Sequence, residues 1–196
     1  LALTTSGTTT ICLGETVNLT ATPSGSITPY TSGWDNGAPA GDNVSVSPTA
    51  TTTYTYTLTD ACSVQMLTSS ETVSVIDSPF TIDDDAQCFN GHVFNLVNTG
   101  STGPTVTHYW DFGDGNTSTT ENVSYVYAAP GNYTVTHDVI YVAAGCTASA
   151  DAILSVYEEP SVLVLLNSNV ACVGGSEGEL GTFVSNGTAP YTYIWS

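Results

Sequence analysis

Trp110-Asp111-Phe112-Gly113-Asp114-Gly115, followed by Pro130-Gly131-Asn132-Tyr133-Thr134-Val135-Thr136, is the stretch from which the fold can be read. An aromatic residue at a strand end, then Asp and Gly in alternation, is turn chemistry. The second segment alternates polar with β-branched or aromatic residues, the period of a half-buried strand. Trp34-Asp35-Asn36-Gly37 answers the first segment, and the run from Pro48 through Thr53-Tyr54-Thr55-Tyr56-Thr57-Leu58-Thr59-Asp60 answers the second. Each half closes on a cysteine and a last strand, Glu71–Ile76 and Ala152–Tyr157. Self-similarity at this spacing predicts two copies of one architecture.

The same alternation recurs in Thr16-Val17-Asn18-Leu19-Thr20 and in Tyr191-Thr192-Tyr193-Ile194, with turn residues every ten positions or so and no amphipathic helix between them. An all-β chain of sandwiches follows. Proline and acid interrupt the pattern at Asp77-Ser78-Pro79 and Glu158-Glu159-Pro160. These breaks predict domains at 1–77 and 78–157 and a third, incomplete unit over 158–196, which reaches its mid-domain Trp195 and stops. A neighbouring subunit adding a strand is the other way to complete it.

The chain of 196 residues contains no Lys or Arg against 18 Asp plus Glu, a formal net charge of -18. Nucleic acid and anionic membrane surfaces are excluded as partners, because both are held by Lys and Arg. Chemistry on ATP or phosphosugars is disfavoured for the same reason. Trypsin-like proteases find no side chain to engage. No apolar run is long enough to span a bilayer. At 41% hydrophobic and 9% charged residues, the composition belongs to a folding chain.

Five cysteines, Cys12, Cys62, Cys88, Cys146 and Cys172, show none of the close C-x-x-C spacing of zinc sites. Two successive pairs each enclose most of a small domain, and a loop of that size stabilises by about 4 kcal/mol in the chain-entropy model. The expected bonds are Cys12–Cys62 and Cys88–Cys146, with the mate of Cys172 beyond Ser196; five unpaired core thiols are the alternative.

Trp110–Gly115 followed by Pro130–Thr136 resembles the PKD domain, an immunoglobulin-like β-sandwich, over nearly all of Ser78–Tyr157. The first unit is similar but degenerate, lacking counterparts of Phe112 and Asp114. Its Pro48-Thr49-Ala50-Thr51-Thr52-Thr53-Tyr54 resembles Ig-like repeats of large secreted surface proteins of gliding Bacteroidetes. Gly187-Thr188-Ala189-Pro190-Tyr191-Thr192-Tyr193-Ile194-Trp195-Ser196 resembles the start of a SprB-type repeat, from the mobile cell-surface adhesin of gliding bacteria. The resemblance implies tandem immunoglobulin-like (PKD-type) β-sandwiches in an extracellular protein of the bacterial cell surface.

Within such a sandwich the motif residues are structural. Trp34 and Trp110 would fill the space between sheets, Trp110 against the disulfide. Gly113 and Gly115 would supply positive φ, Asp111 and Asp114 would accept turn amides, and Tyr54 and Tyr133 would sit at tyrosine corners.

No catalytic set stands out. His92, His108 and His137 are the only bases near neutral pH, and none lies in a metal-binding or nucleophile motif. Asp83-Asp84-Asp85 are candidate Ca²⁺ ligands, against the simpler reading of a solvated acidic loop; no other cofactor is implied. N-x-S/T triplets begin at Asn18, Asn43, Asn116, Asn122, Asn132 and Asn186. The expected role is non-catalytic: a stalk or shaft segment of an exported adhesin or extracellular filament. Its partners would be adjacent repeats of one long chain, surface glycans or neighbouring subunits. The alternative is a carbohydrate-binding accessory module of a secreted hydrolase, with Tyr30, Tyr109, Tyr125, Tyr127 and Tyr141 as the available platform.

Overall fold

A computed structural model describes residues 2–25, 29–60, 66–169 and 171–194. These residues form β-strands and turns, with no helix among them. The strands of the first sandwich are β1 (Ala2–Thr5), β2 (Thr9–Ile11), β3 (Val17–Ser24), β4 (Tyr30–Trp34), β5 (Asn43–Val46), β6 (Thr52–Asp60) and β7 (Met66–Val75). They make two sheets, β1-β3-β5 and β2-β7-β6-β4. Leu19, Val44, Tyr56, Leu58 and Val73 face one another between the sheets, every second residue of each strand, as the period-two pattern requires.

The second sandwich repeats the plan with β8 (Phe80–Ile82), β9 (Ala86–Cys88), β10 (Phe94–Asn98), β11 (Val106–Asp111), β12 (Thr117–Ser118), β13 (Asn122–Tyr125), β14 (Gly131–Tyr141) and β15 (Cys146–Tyr157). Its sheets are β13-β10-β8 and β12-β11-β14-β15-β9. Phe94, Leu96, Trp110, Phe112, Tyr127, Val135, Leu154 and Val156 form its core. Burying each large apolar side chain stabilises by ~1.5–3 kcal/mol before conformational entropy is counted.

The likeness of the two halves extends to details that composition does not predict. In each, the last long strand pairs in parallel with a short edge strand, β7 with β2 and β15 with β9. In each, a strand reading Asn-Val-Ser lies antiparallel to the second strand of the smaller sheet, and its serine hydroxyl donates to an asparagine opposite. The two bonds are Ser45 Oγ to Asn18 Oδ1 and Ser124 Oγ to Asn95 Oδ1, both at 2.6 Å.

The motif residues on β6 and β14 align two positions differently from the sequence comparison. Trp34 is paired with Tyr56 and Trp110 with His137, so Tyr54 is level with Val135, and Tyr133 with Thr52. A slip of two leaves the inward and outward faces unchanged, so hydrophobic alternation does not report it.

After Pro160, β16 (Ser161–Ser168) and β17 (Glu179–Ser185) form a two-stranded antiparallel ribbon. Leu163, Leu166, Leu180 and Phe183 leave about half of their surface to solvent. Among the described residues no second sheet lies against this ribbon to bury them.

Candidate functional site: the junction of the two sandwiches

The cysteines mark the site. Cys12 follows β2 at the end of the first sandwich next to the linker, and Cys146 opens β15 in the second; their Cα atoms are 6.2 Å apart and a disulfide joins them. The expected pairings Cys12–Cys62 and Cys88–Cys146 are therefore corrected. Cys62 lies outside the described residues, and Cys88 is an exposed free thiol, as is Cys172.

The reason is strand length. Cys88 pairs with Tyr157 at the far end of β15, whereas Cys146 starts that strand, 157 − 146 = 11 residues away. At ~3.3 Å per residue this is ~36 Å. A disulfide tolerates Cα separations of at most about 7 Å. In the second sandwich Cys88 and Cys146 therefore occupy opposite ends, and Cys146 is bonded to the neighbouring sandwich instead.

The linker itself is held from both sides. The Ile76 amide donates to the Ile11 carbonyl (3.2 Å), while Ser101 donates its amide to the Asp77 carbonyl and its hydroxyl to the Asp77 carboxylate (2.8 Å). Gly100 lies against the linker so closely that a Cβ there would stand 2.7 Å from Pro79 Cδ and 2.8 Å from the Asp77 carbonyl oxygen. A cavity of about 520 Å³ beside the disulfide is lined by residues of both sandwiches and of the linker.

Ser78 is anchored by a buried imidazole. His137 Nδ1–H donates to the Ser78 carbonyl at 3.1 Å, so its Nε2 is free to accept from His108 Nδ1–H at 3.2 Å. His137 is fully buried and stacks on Trp110, ring centroids 3.9 Å apart. Trp110 thus packs against His137 and the edge of Phe80, with its indole N–H donating to the Thr120 carbonyl; it does not pack against the disulfide.

Burial, with the adjacent His108 adding to it, pushes the His137 pKa below the ordinary imidazole value; the Ser78 carbonyl and Asp138 act in the opposite sense. The unfolded chain therefore takes up a proton before the folded chain does. The stability contributed by neutral His137 is complete above about pH 6.5 and is lost as pH falls toward the depressed value. The melting temperature of the second sandwich is expected to drop between pH 7.5 and 5, with a shallower slope in His137→Gln, as calorimetry across that range would register. Equal slopes would exclude His137 as the responsible group.

The remaining motif residues serve turns and corners. Asp111 Oδ1 accepts the Gly113 amide (2.8 Å), and Asp114 accepts the Asn116 amide and the Tyr125 hydroxyl (2.7 Å). Burial opposes ionisation of Asp114, but those hydrogen bonds prevail and hold it below the usual carboxylate range. Gly113 has φ +76°, and a Cβ there would meet the Thr134 carbonyl at 2.5 Å; Gly115 has φ +92° in open space. The Tyr133 hydroxyl donates to the Ala129 carbonyl four residues upstream, the geometry of a tyrosine corner. Tyr54 is buried in the first core, where Trp34 meets Tyr56 edge to face and donates its indole N–H to the Asp42 carbonyl.

Asp83, Asp84 and Asp85 line one shallow cavity together with Asp151, and the first two are engaged in local hydrogen bonds. Asp83 accepts the amide and side chain of Asn95, which hold its carboxyl below the usual range, and Asp84 caps the Ala86 amide. Among the described residues no three His, Cys, Asp or Glu side chains form a group able to hold a metal ion. His92 is a strut, donating from Nδ1 to the Phe89 carbonyl and accepting the Tyr127 amide on Nε2. Of the five tyrosines offered as a sugar platform, Tyr127 is buried, Tyr30, Tyr125 and Tyr141 are half-buried, and Tyr109 is exposed.

Glu71 carried no sequence motif, yet it is buried and accepts the Ser6 hydroxyl on both carboxylate oxygens (2.8 and 2.7 Å), tying β1 to β7. Its signal was parity: Glu71, Val73 and Val75 share one face of β7.

The class these features define is a tandem array of PKD/Ig-like β-sandwiches. Residues 79–155 match the family model described as PKD domain. No curated protein matches the sequence. Among solved structures, the fibronectin(III)-like modules of Clostridium thermocellum CbhA are 11% identical, with a TM-score of 0.32 and coverage of 80% of this chain and 95% of that one. The three N-terminal domains of the bacteriophage RB49 Hoc protein are 15% identical, with a TM-score of 0.41 over 97% and 69%. The four N-terminal Ig domains of Dscam1 are 15% identical, with a TM-score of 0.38; the match covers 81% of this chain and 46% of that one. PKD and Ig-like domains are typically non-catalytic modules, and disulfides are typical of extracellular proteins. Among the described residues no helix is long and apolar enough to cross a membrane.

Proposed function

We propose that this chain is a non-catalytic structural segment of an exported bacterial surface protein, a shaft that sets reach and direction for an adhesive or filamentous molecule. The observation that carries this reading is the Cys12–Cys146 bond, which braces one sandwich to the next across a linker already clamped by Ser101 and His137. A chain of modules joined by such braces resists bending and twisting between neighbours, whereas freely hinged modules carry tension alone. The resemblance of Gly187–Ser196 to SprB-type repeats favours a gliding adhesin as the parent molecule. A net charge of -18 without a single Lys or Arg would keep neighbouring shafts apart at low salt.

Immunogold microscopy of the source cells tests this. Label on projections outside the cell is the expected result, and label confined to the interior would end the proposal. The carbohydrate-module reading rests on Tyr109, exposed on the outer face of the five-stranded sheet. Glycan-array binding abolished by Tyr109→Ala would establish it in place of the shaft.

A further inference from the structure

Three cysteines occupy one structural position. Cys12, Cys88 and Cys172 each lie between the first and second strands of the smaller sheet or ribbon, between β1 and β3, β8 and β10, and β16 and β17. A glycine of positive φ follows each within three residues, Gly14, Gly91 and Gly174. For the first two the register makes the equivalence strict. Thr10 and Ile11 pair in parallel with Ser74 and Val75, and Ala86 and Gln87 with Ser155 and Val156, so Cys12 and Cys88 end the same edge strand. Cys12 is bonded to the hairpin cysteine of the following unit, whereas Cys88 is exposed and free.

The surroundings of Cys88 repeat those of Cys12. The cavity beside Cys12 is lined by Ile76, Asp77 and Pro79; one of about 530 Å³ beside Cys88 is lined by their counterparts Tyr157, Glu158 and Pro160, and by the ribbon. Gly100, two residues past β10, presses on Pro79. Gly187, two residues past β17, presses on Pro160, where a Cβ would stand 2.9 Å from the proline Cβ. The second junction is thus built on the plan of the first, with its thiol in place.

We propose that Cys88 is the site of a second brace, forming a disulfide with a cysteine on the hairpin, equivalent to that between β14 and β15, of the unit opened by β16 and β17. The braces then interlock along the array, each unit linked by its edge-strand cysteine to the next unit's hairpin. Bond formation removes two protons and two electrons from the two thiols. A disulfide-bearing oxidant of the thiol–disulfide exchange class accepts them and leaves as a dithiol. The inference rests on the shaft reading and sharpens it into a covalently continuous one.

Mass mapping of the full-length protein from its source, alkylated before unfolding and cut without reduction, tests it; without Lys or Arg, cleavage must use acid-directed or aromatic-directed proteases. The expected result is two linked pairs, Cys12 with Cys146, and Cys88 with a cysteine C-terminal to residue 196. Cys88 recovered alkylated, or linked to Cys62, Cys146 or Cys172, would overturn the inference. If Cys12–Cys146 is present in that case, the shaft proposal stands; if it is also missing, both lose their basis.

Discussion

Cys12→Ser and Cys146→Ser are each expected to loosen the two sandwiches from one another and to lower the stability of the pair by ~2–4 kcal/mol, the usual range for loss of a native disulfide. The bond closes a loop of 134 residues, so in the chain-entropy model it restricts the unfolded chain by ~5 kcal/mol. The measured loss should fall short of that figure, because unfolded chains are partly compact and because the Ser78–His137 and Asp77–Ser101 hydrogen bonds still hold the linker.

Two measurements separate the consequences. Thermal unfolding should shift downward, and small-angle scattering should change from the profile of one fixed arrangement to that of an ensemble. Reduction of the unsubstituted chain by a dithiol should reproduce both effects, and Cys172→Ser should produce neither. Identical melting and scattering in Cys12→Ser and the parent would mean that the bond braces nothing.

Trp110→Ala should have the largest effect within one sandwich. The indole is fully buried, stacked on His137, edge-on to Phe80 and hydrogen-bonded to the Thr120 carbonyl. Removing it leaves a cavity in a tightly packed core, which costs ~3–5 kcal/mol in comparable substitutions. A domain of this size has only ~5–15 kcal/mol in total. The second sandwich is therefore expected to melt well before the first, giving two calorimetric transitions. Trp110→Phe retains most of the packing and loses the N–H bond, so its loss should be smaller. A single unshifted transition in Trp110→Ala would contradict the packing described.

The effect should reach beyond the core. Trp110 supports His137, and His137 holds the Ser78 carbonyl in the linker. In Trp110→Ala the junction should consequently loosen even with the Cys12–Cys146 bond intact.

Much of this was legible in the order of residues. Alternation in Tyr54-Thr55-Tyr56-Thr57-Leu58 specified a strand with one face in the core, since side chains on adjacent strand positions point to opposite faces. Pro79 and Pro160 stand outside the strands because proline lacks the amide that a sheet ladder needs. Asp111 and Asp114 announced turns because a short carboxylate reaches an amide two residues on. In all three cases the cause lies within a few residues of its effect.

Pairing across the fold was a different matter. Loop-closure entropy depends on the number of residues between two cysteines and is indifferent to whether a β-sandwich lies between them, so 12–62 and 88–146 looked favourable on spacing alone. The histidine pair was hidden likewise: His108 and His137 become neighbours only because β11 and β14 pair in the register that sets Trp110 opposite His137.

By itself, then, the amino-acid order determined the β character, the repeat and the turns, all outcomes of backbone and side-chain preferences acting locally. Tertiary structure alone decided which cysteine meets which and that Trp110 rests on an imidazole. It decided as well that a linker carbonyl is captured by a buried ring. Each of these depends on which strand ends the sheets bring within a few ångströms of one another, and that distance is a property of the packed sheets.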